Sequence, residues 1–244
     1  MDDARIARVP PYRPYRPAPE KLLYYTRAAS STTHPLLRKE RCVNRNRPAG
    51  ITLAFASGLA AIVLYVVCTA ISWSFYPEAF GPLTHWLSYL GDPVRNPRGA
   101  VFYNAGCVLT GAALLLFVIG LGRWQRQGAR SKSLIAAQLV GLASAFFLVM
   151  LGFHSQERLK EHMYYSNRFF ISFPVFITLL SSALYAQPYS KKGLAAVGFA
   201  VVAIGLAFHG LFPVNRPMEW ITELSFMVYV ALVAWTTQKS LPNP

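Results

Sequence analysis

The chain has 244 residues, of which 54% are hydrophobic and only 14% charged, against the roughly 25% charge usual in soluble domains. That balance excludes an ordinary water-facing globule. The net charge of +14 comes from 24 Lys and Arg against 10 Asp and Glu, and its placement between apolar runs points to membrane topology rather than nucleic-acid binding.

The first 49 residues contain "RVPPYRPYRPAPEKLL" and eleven Lys or Arg. Proline at this density blocks helix and strand, so the segment is expected to be a largely disordered basic tail. It could lie against anionic headgroups or dock a partner subunit. "EKLLYYTR" at 20–27 is compatible with a short surface helix. No apolar signal core is visible before residue 50, so the first apolar run is expected to act as the uncleaved insertion signal.

Six apolar runs follow, at about 51–73, 101–121, 134–153, 169–186, 194–212 and 220–237. Each is close to the roughly 17–25 residues that a helix needs to cross the hydrocarbon. The expected fold is all-α: a polytopic membrane bundle of six transmembrane helices over 50–238, with a short C-terminus at 239–244 and a loop cap on the outer face. Eighteen of the 24 basic residues fall in the tail, the 122–133 and 187–193 loops and the C-terminus. The other six are Arg95, Arg98, Arg158, Lys160, Arg168 and Arg216. The positive-inside rule then puts both termini in the cytoplasm, and the protein in the cell membrane. Cys42 falls on the cytoplasmic side and Cys68 and Cys107 fall inside spans, so no structural disulfide is expected.

Between the first two runs stands "HWLSYLGDPVRNPRGAVFYNAG", residues 85–106, polar and rich in turn-formers. "FGPLTHWLSYLGDP" reads as a short interfacial helix with Trp86 and Tyr89 at headgroup level, broken by Gly91, Pro93 and Pro97. So much apolar surface beside so many turn-formers calls for one fixed conformation, a lid over the helix ends built on Trp86, Ser88, Gly91 and Asn104. Trp86 is expected to be largely buried. Asp92 and Arg95 are expected to pair with neighbouring loops through groups such as Arg168, Glu157 or Glu219, and His85, His154 and His209 to approach one another. Two small-residue stripes, Gly106–Thr110–Ala113 and Ala196–Ala200–Ala203–Ala207, suit close helix packing.

"LSYLGDPVRNPRGAVFYNAG", "GFH…H" at 152–162 and "GLFPVNRPMEWITEL" at 210–224 resemble the six-span family known as domain of unknown function 998. The best marks are Ser88, Leu90 and Gly91 followed by Tyr103 and Asn104, then Pro217, Glu219 and Trp220. The resemblance covers roughly 51–237 and implies a membrane bundle without an assigned activity. The layout is distantly similar to small membrane proteins that regulate lipid distribution, which is an analogy of architecture.

The candidate site lies on the outer face: His85, Asp92, His154, Glu157, Glu161, His162, His209, Glu219 and Glu223. If "HSQERLKEH" is helical, His154, Glu157 and Glu161 share a face with His162 adjacent. Zinc held by His154, Glu157 and His162 would lower the pKa of a bound water to about 7. The plainer reading is a set of interfacial hydrogen-bonders. Glu223 lies one turn inside the last run on the face of Glu219, a depth at which a carboxylate either finds a partner such as Arg168 or Arg216 or faces a wet cavity. Three functions stay open: a lipid-interacting or complex-stabilising protein, a metal-dependent hydrolase acting on lipid at the outer surface, and a small transporter. The expected partners are membrane lipids and possible further membrane subunits, with no nucleic acid; no cofactor is required, zinc being the one candidate.

Overall fold

The computed structural model describes residues 51–126, 132–186, 191–211 and 216–239, excluding the side chains of 125–126 and 208–211. All belong to one unit, Arg45–Pro244. The basic tail, its expected helix at 20–27 and the side chain of His209 lie outside the described residues.

Among the described residues seven α-helices run in order: α1 (Leu53–Ser74), α2 (Ala100–Gly120), α3 (Gly122–Arg126), α4 (Lys132–Phe153), α5 (Leu159–Tyr185), α6 (Lys192–Leu211) and α7 (Arg216–Lys239). Five of them, α1, α2, α4, α5 and α7, are long and apolar enough to cross a membrane, and α6 adds a shorter apolar helix. In lipid every backbone polar group must be satisfied within its own segment, and uninterrupted apolar helices meet that requirement. The chain is an integral, multi-pass membrane protein.

The six long helices close into a ring: α1 packs on α2, α2 on α4, α4 on α5, α5 on α6, α6 on α7, and α7 back on α1. Neighbours are antiparallel, as short connections require. The ring closes at the terminal end, where Thr52 N donates to Gln238 Oε1 (3.0 Å) and the hydroxyls of Thr52 and Thr237 meet at 3.1 Å. Thr52 also caps α1, its hydroxyl accepting from Phe55 N at 3.1 Å. The described chain thus begins and ends at the same end of the bundle.

Without a hydrophobic difference between lipid tails and apolar side chains, membrane helices associate by close packing. Gly106 allows this on α2, since a Cβ there would stand 2.5 Å from Cys68 Cβ of α1. Gly120 does the same one end away, with the Ala54 backbone nitrogen 2.5 Å from its virtual Cβ. Thr110 and Ala113 of the same stripe are buried, and the Thr110 hydroxyl donates to Ala61 O at 3.4 Å. The second stripe behaves differently. α6 packs through Ala195 and Gly198, while Ala196, Ala200, Ala203 and Ala207 are exposed on its outer side. Their spacing identifies one helical face but not which way that face points.

Candidate functional site

The segment 75–99 folds back over one end of the ring, and the short interfacial helix expected there is a 3-10 helix at Leu87–Gly91. Its anchor is Asn96, fully buried. The Asn96 amide donates to Ser72 O (3.1 Å), Ser72 Oγ (3.0 Å) and Leu90 O (3.1 Å), and its Oδ1 accepts from Gly99 N at 3.1 Å. Asn104, in the second turn of α2, donates to Gly91 O at 3.0 Å. One short polar side chain per junction thus satisfies backbone groups that lipid could not.

An aromatic cluster seals the flank. Trp73 of α1 meets Trp220 of α7 with ring centroids 5.3 Å apart, and Phe80 and His85 stack within the same group. Trp220 Nε1 donates to His85 O at 3.1 Å. Trp86, expected deep in the lid, is only half-buried, because Leu87 and Leu90 take the inward positions.

Asp92 and Arg95 also differ from expectation: they pair with each other rather than with other loops. Asp92 Oδ2 lies 3.1 Å from Arg95 Nε, its Oδ1 accepts from Val94 N at 2.9 Å, and the Arg95 guanidinium stacks 3.7 Å over Tyr89. The i, i+3 spacing in a turn brings these groups together before any neighbouring loop can compete.

The cap reaches α7 and the loop between α4 and α5 through Ser88. Its N–H donates to Glu219 Oε1 at 3.2 Å, and its Oγ accepts from Gln156 Nε2 at 2.8 Å. The Gln156 amide is also 3.5 Å from His162 Nε2. His162 Nδ1 donates to His154 O (3.0 Å), and His154 Nδ1 donates to Met150 O (2.8 Å). A carbonyl can only accept, so both imidazoles carry a proton on Nδ1.

"HSQERLKEH" is not one helix: Gln156–Arg158 form a 3-10 turn and α5 starts at Leu159. Glu157 and Glu161 are therefore exposed while His162 is buried. His85 contacts Glu78 (3.4 Å), Tyr76 and Phe80, whereas His154 packs on Tyr165. Among the described residues no group of three or more His, Cys, Asp or Glu is placed to hold a metal ion.

The convergence lies one layer deeper. Beneath the cap is a cavity of about 10 Å³ of mixed character, where the polar groups of Ser88, Asn104, Tyr65, Tyr103, His162, Ser166, Glu219 and Glu223 meet Cys107, Leu148, Leu151 and Phe170. It abuts an apolar one of about 30 Å³ walled by Leu114, Leu148, Phe169, Phe173, Phe226, Met227 and Val230. Tyr65, Leu148 and Glu223 border both. Among the described residues Glu219 Oε2 is buried without a hydrogen-bond partner. Arg168, a sequence candidate for pairing Glu223, instead stacks 3.8 Å over Tyr164, and Arg216 is exposed. Sequence reading found the two carboxylates but did not place Tyr65, Tyr103 or Ser166 at the site; Tyr65, a lone hydroxyl in the apolar run of α1, carried the clearest signal.

A family described as "Protein of unknown function (DUF998)" matches residues 59–238. The chain belongs to that family. The DUF998 match covers all six long helices from within α1 to the end of α7, and so includes the cap, both carboxylates and both cavities. No curated protein matches the chain, and no solved structure does.

Proposed function

We propose that this DUF998 protein is a cell-membrane lipid-binding protein that holds one amphiphilic molecule inside its helical ring, with both termini in the cytoplasm. The observation that carries the reading is the contiguity of the two cavities: carboxylates and hydroxyls under the cap, aromatic and aliphatic walls directly below, and Glu223 at the junction. Ionisable side chains at that depth are costly and face partners or ligands. A head in the upper space and a chain in the lower one would give each layer its matching contact.

As they stand, the spaces of about 10 and 30 Å³ hold only water-sized groups, so binding requires side chains to swing aside. Met227, partly exposed and unbranched, is the most adaptable wall residue. The route in would pass between α1 and α7. These helices meet near both ends, at Gly58–Ala234 and at Trp73–Trp220, while Ile62, Tyr65, Glu223 and Met227 border the lower cavity between those contacts. Orientation is supported by the charge asymmetry and by Lys191 over Trp124, Lys192 over Tyr185 and Lys239 over Trp235, all at the terminal end, where an aromatic and cationic belt suits the cytoplasmic interface.

A photoreactive group at the end of a lipid acyl chain tests the reading. Cross-links to Phe169, Phe173 or Phe226 are expected. Labelling confined to outward-facing residues such as Leu139, Ile171 and Leu224 would reject an internal site.

A further inference from the structure

We infer that the head of the bound molecule is an organic ammonium, seated between Glu219 and Glu223. The inference deepens the amphiphile-binding reading and rests on it. The two carboxylates are spaced i, i+4 on α7, which sets their Cβ atoms about 6 Å apart on one face, and both border the cavity under the cap. Its other walls combine hydroxyls, the Asn104 amide and the His162 imidazole with Cys107, Leu148, Leu151 and Phe170, and include no Lys or Arg. Of the basic side chains at this end, Arg95 is engaged with Asp92 and Tyr89 and Arg168 with Tyr164, while Arg98, Arg158 and Arg216 are exposed.

A buried carboxylate is stabilised in its charged form only by a counter-charge, and among the described residues no Lys or Arg borders this cavity. A phosphate or carboxylate head would add a third negative group. A hydroxyl head would bring no counter-charge. An ammonium neutralises the carboxylate and brings up to three N–H donors, for which Glu219 Oε2 is a buried acceptor without a partner among the described residues. The Phe169, Phe173 and Phe226 rings, with centroids 4.5–6.2 Å apart, lie on the side where the carbon chain leaves the head. They separate this ligand from an inorganic cation, which has no use for an apolar extension. The ammonium could belong to a free long-chain amine or to an amine-headed phospholipid.

The experiment uses the full chain in nanodiscs of phosphatidylcholine. Binding of radiolabelled hexadecylammonium is compared with hexadecanol and hexadecyl sulfate, then repeated for Glu219→Gln, Glu223→Gln and the double variant. The expected result is preference for the ammonium, a loss of about a hundredfold in the double variant, and hexadecanol affinity retained or increased in that variant. Nanodiscs containing phosphatidylethanolamine distinguish the sources: competition by that lipid assigns the site to a phospholipid head, and its failure to compete assigns it to a free amine. Equal affinity across the three head groups overturns the inference while leaving amphiphile binding intact; binding of none of them overturns both. Where a variant does not fold, the head-group series on the unaltered protein decides alone.

Discussion

Ser88 donates its backbone N–H to Glu219 Oε1 across 131 residues of chain, at 3.2 Å. The cap and the start of α7 are thus one hydrogen-bonded unit, and the carboxylate that fixes the cap is also a wall of the internal cavity. Any movement of the cap changes the surroundings of Glu219, and any ligand on Glu219 acts on the cap.

The Asn96 junction is expected to govern whether that unit forms. Asn96→Ala removes the amide that serves Ser72 and Leu90 and the oxygen that accepts from Gly99 N. Leaving such buried groups unpaired costs about 1–3 kcal/mol each. A lower melting temperature in detergent and new protease cleavage within 75–99 are expected. An unchanged melt with an uncut loop would show that Asn96 is dispensable.

Helix approach at Gly106 and Gly120 gives a second test. Gly106→Val and Gly120→Val would drive side-chain atoms into Cys68 and the Ala54 backbone, and overpacking of this kind costs about 1–3 kcal/mol or more. Gly193→Val and Gly205→Val, where a Cβ meets nothing within 4 Å, are the matched controls. Size-exclusion profiles should deteriorate for the first pair only; equal behaviour of all four would refute close packing of α1 on α2.

Much of this was legible in the sequence, for reasons visible in particular residues. Apolar length alone identifies the helices, because lipid leaves the backbone no alternative. Asn104 was readable as a hydrogen-bonder beneath the lid since it follows a run of turn-formers directly. The pairing of Asp92 was not, because a turn closes locally on Arg95 in a way that residue types do not announce. The histidine–glutamate face failed because the chain enters α5 through a 3-10 turn, breaking the register between His154 and Glu161. The outward direction of the α6 alanines depends on neighbours far away in the chain, and no local pattern encodes it.

The charge pattern also predicts an orientation. A reporter fused after Pro244 is expected to be active in the cytoplasm. Val94→Cys, 77% exposed on the cap, is expected to react with a membrane-impermeant maleimide applied to intact cells. Labelling that appears only after lysis, with a reporter active outside, would invert the topology.

Retention of one lipid-like molecule per chain is the central claim, and native mass spectrometry of the protein released from gentle detergent measures it most directly. The account predicts a dominant species one amphiphile heavier than the bare chain, and its marked depletion when Phe173→Trp and Val230→Trp together fill the lower cavity of a protein that remains folded. A bare chain as the sole species under conditions that keep the bundle folded, or adduct masses unaffected by filling that cavity, would contradict it.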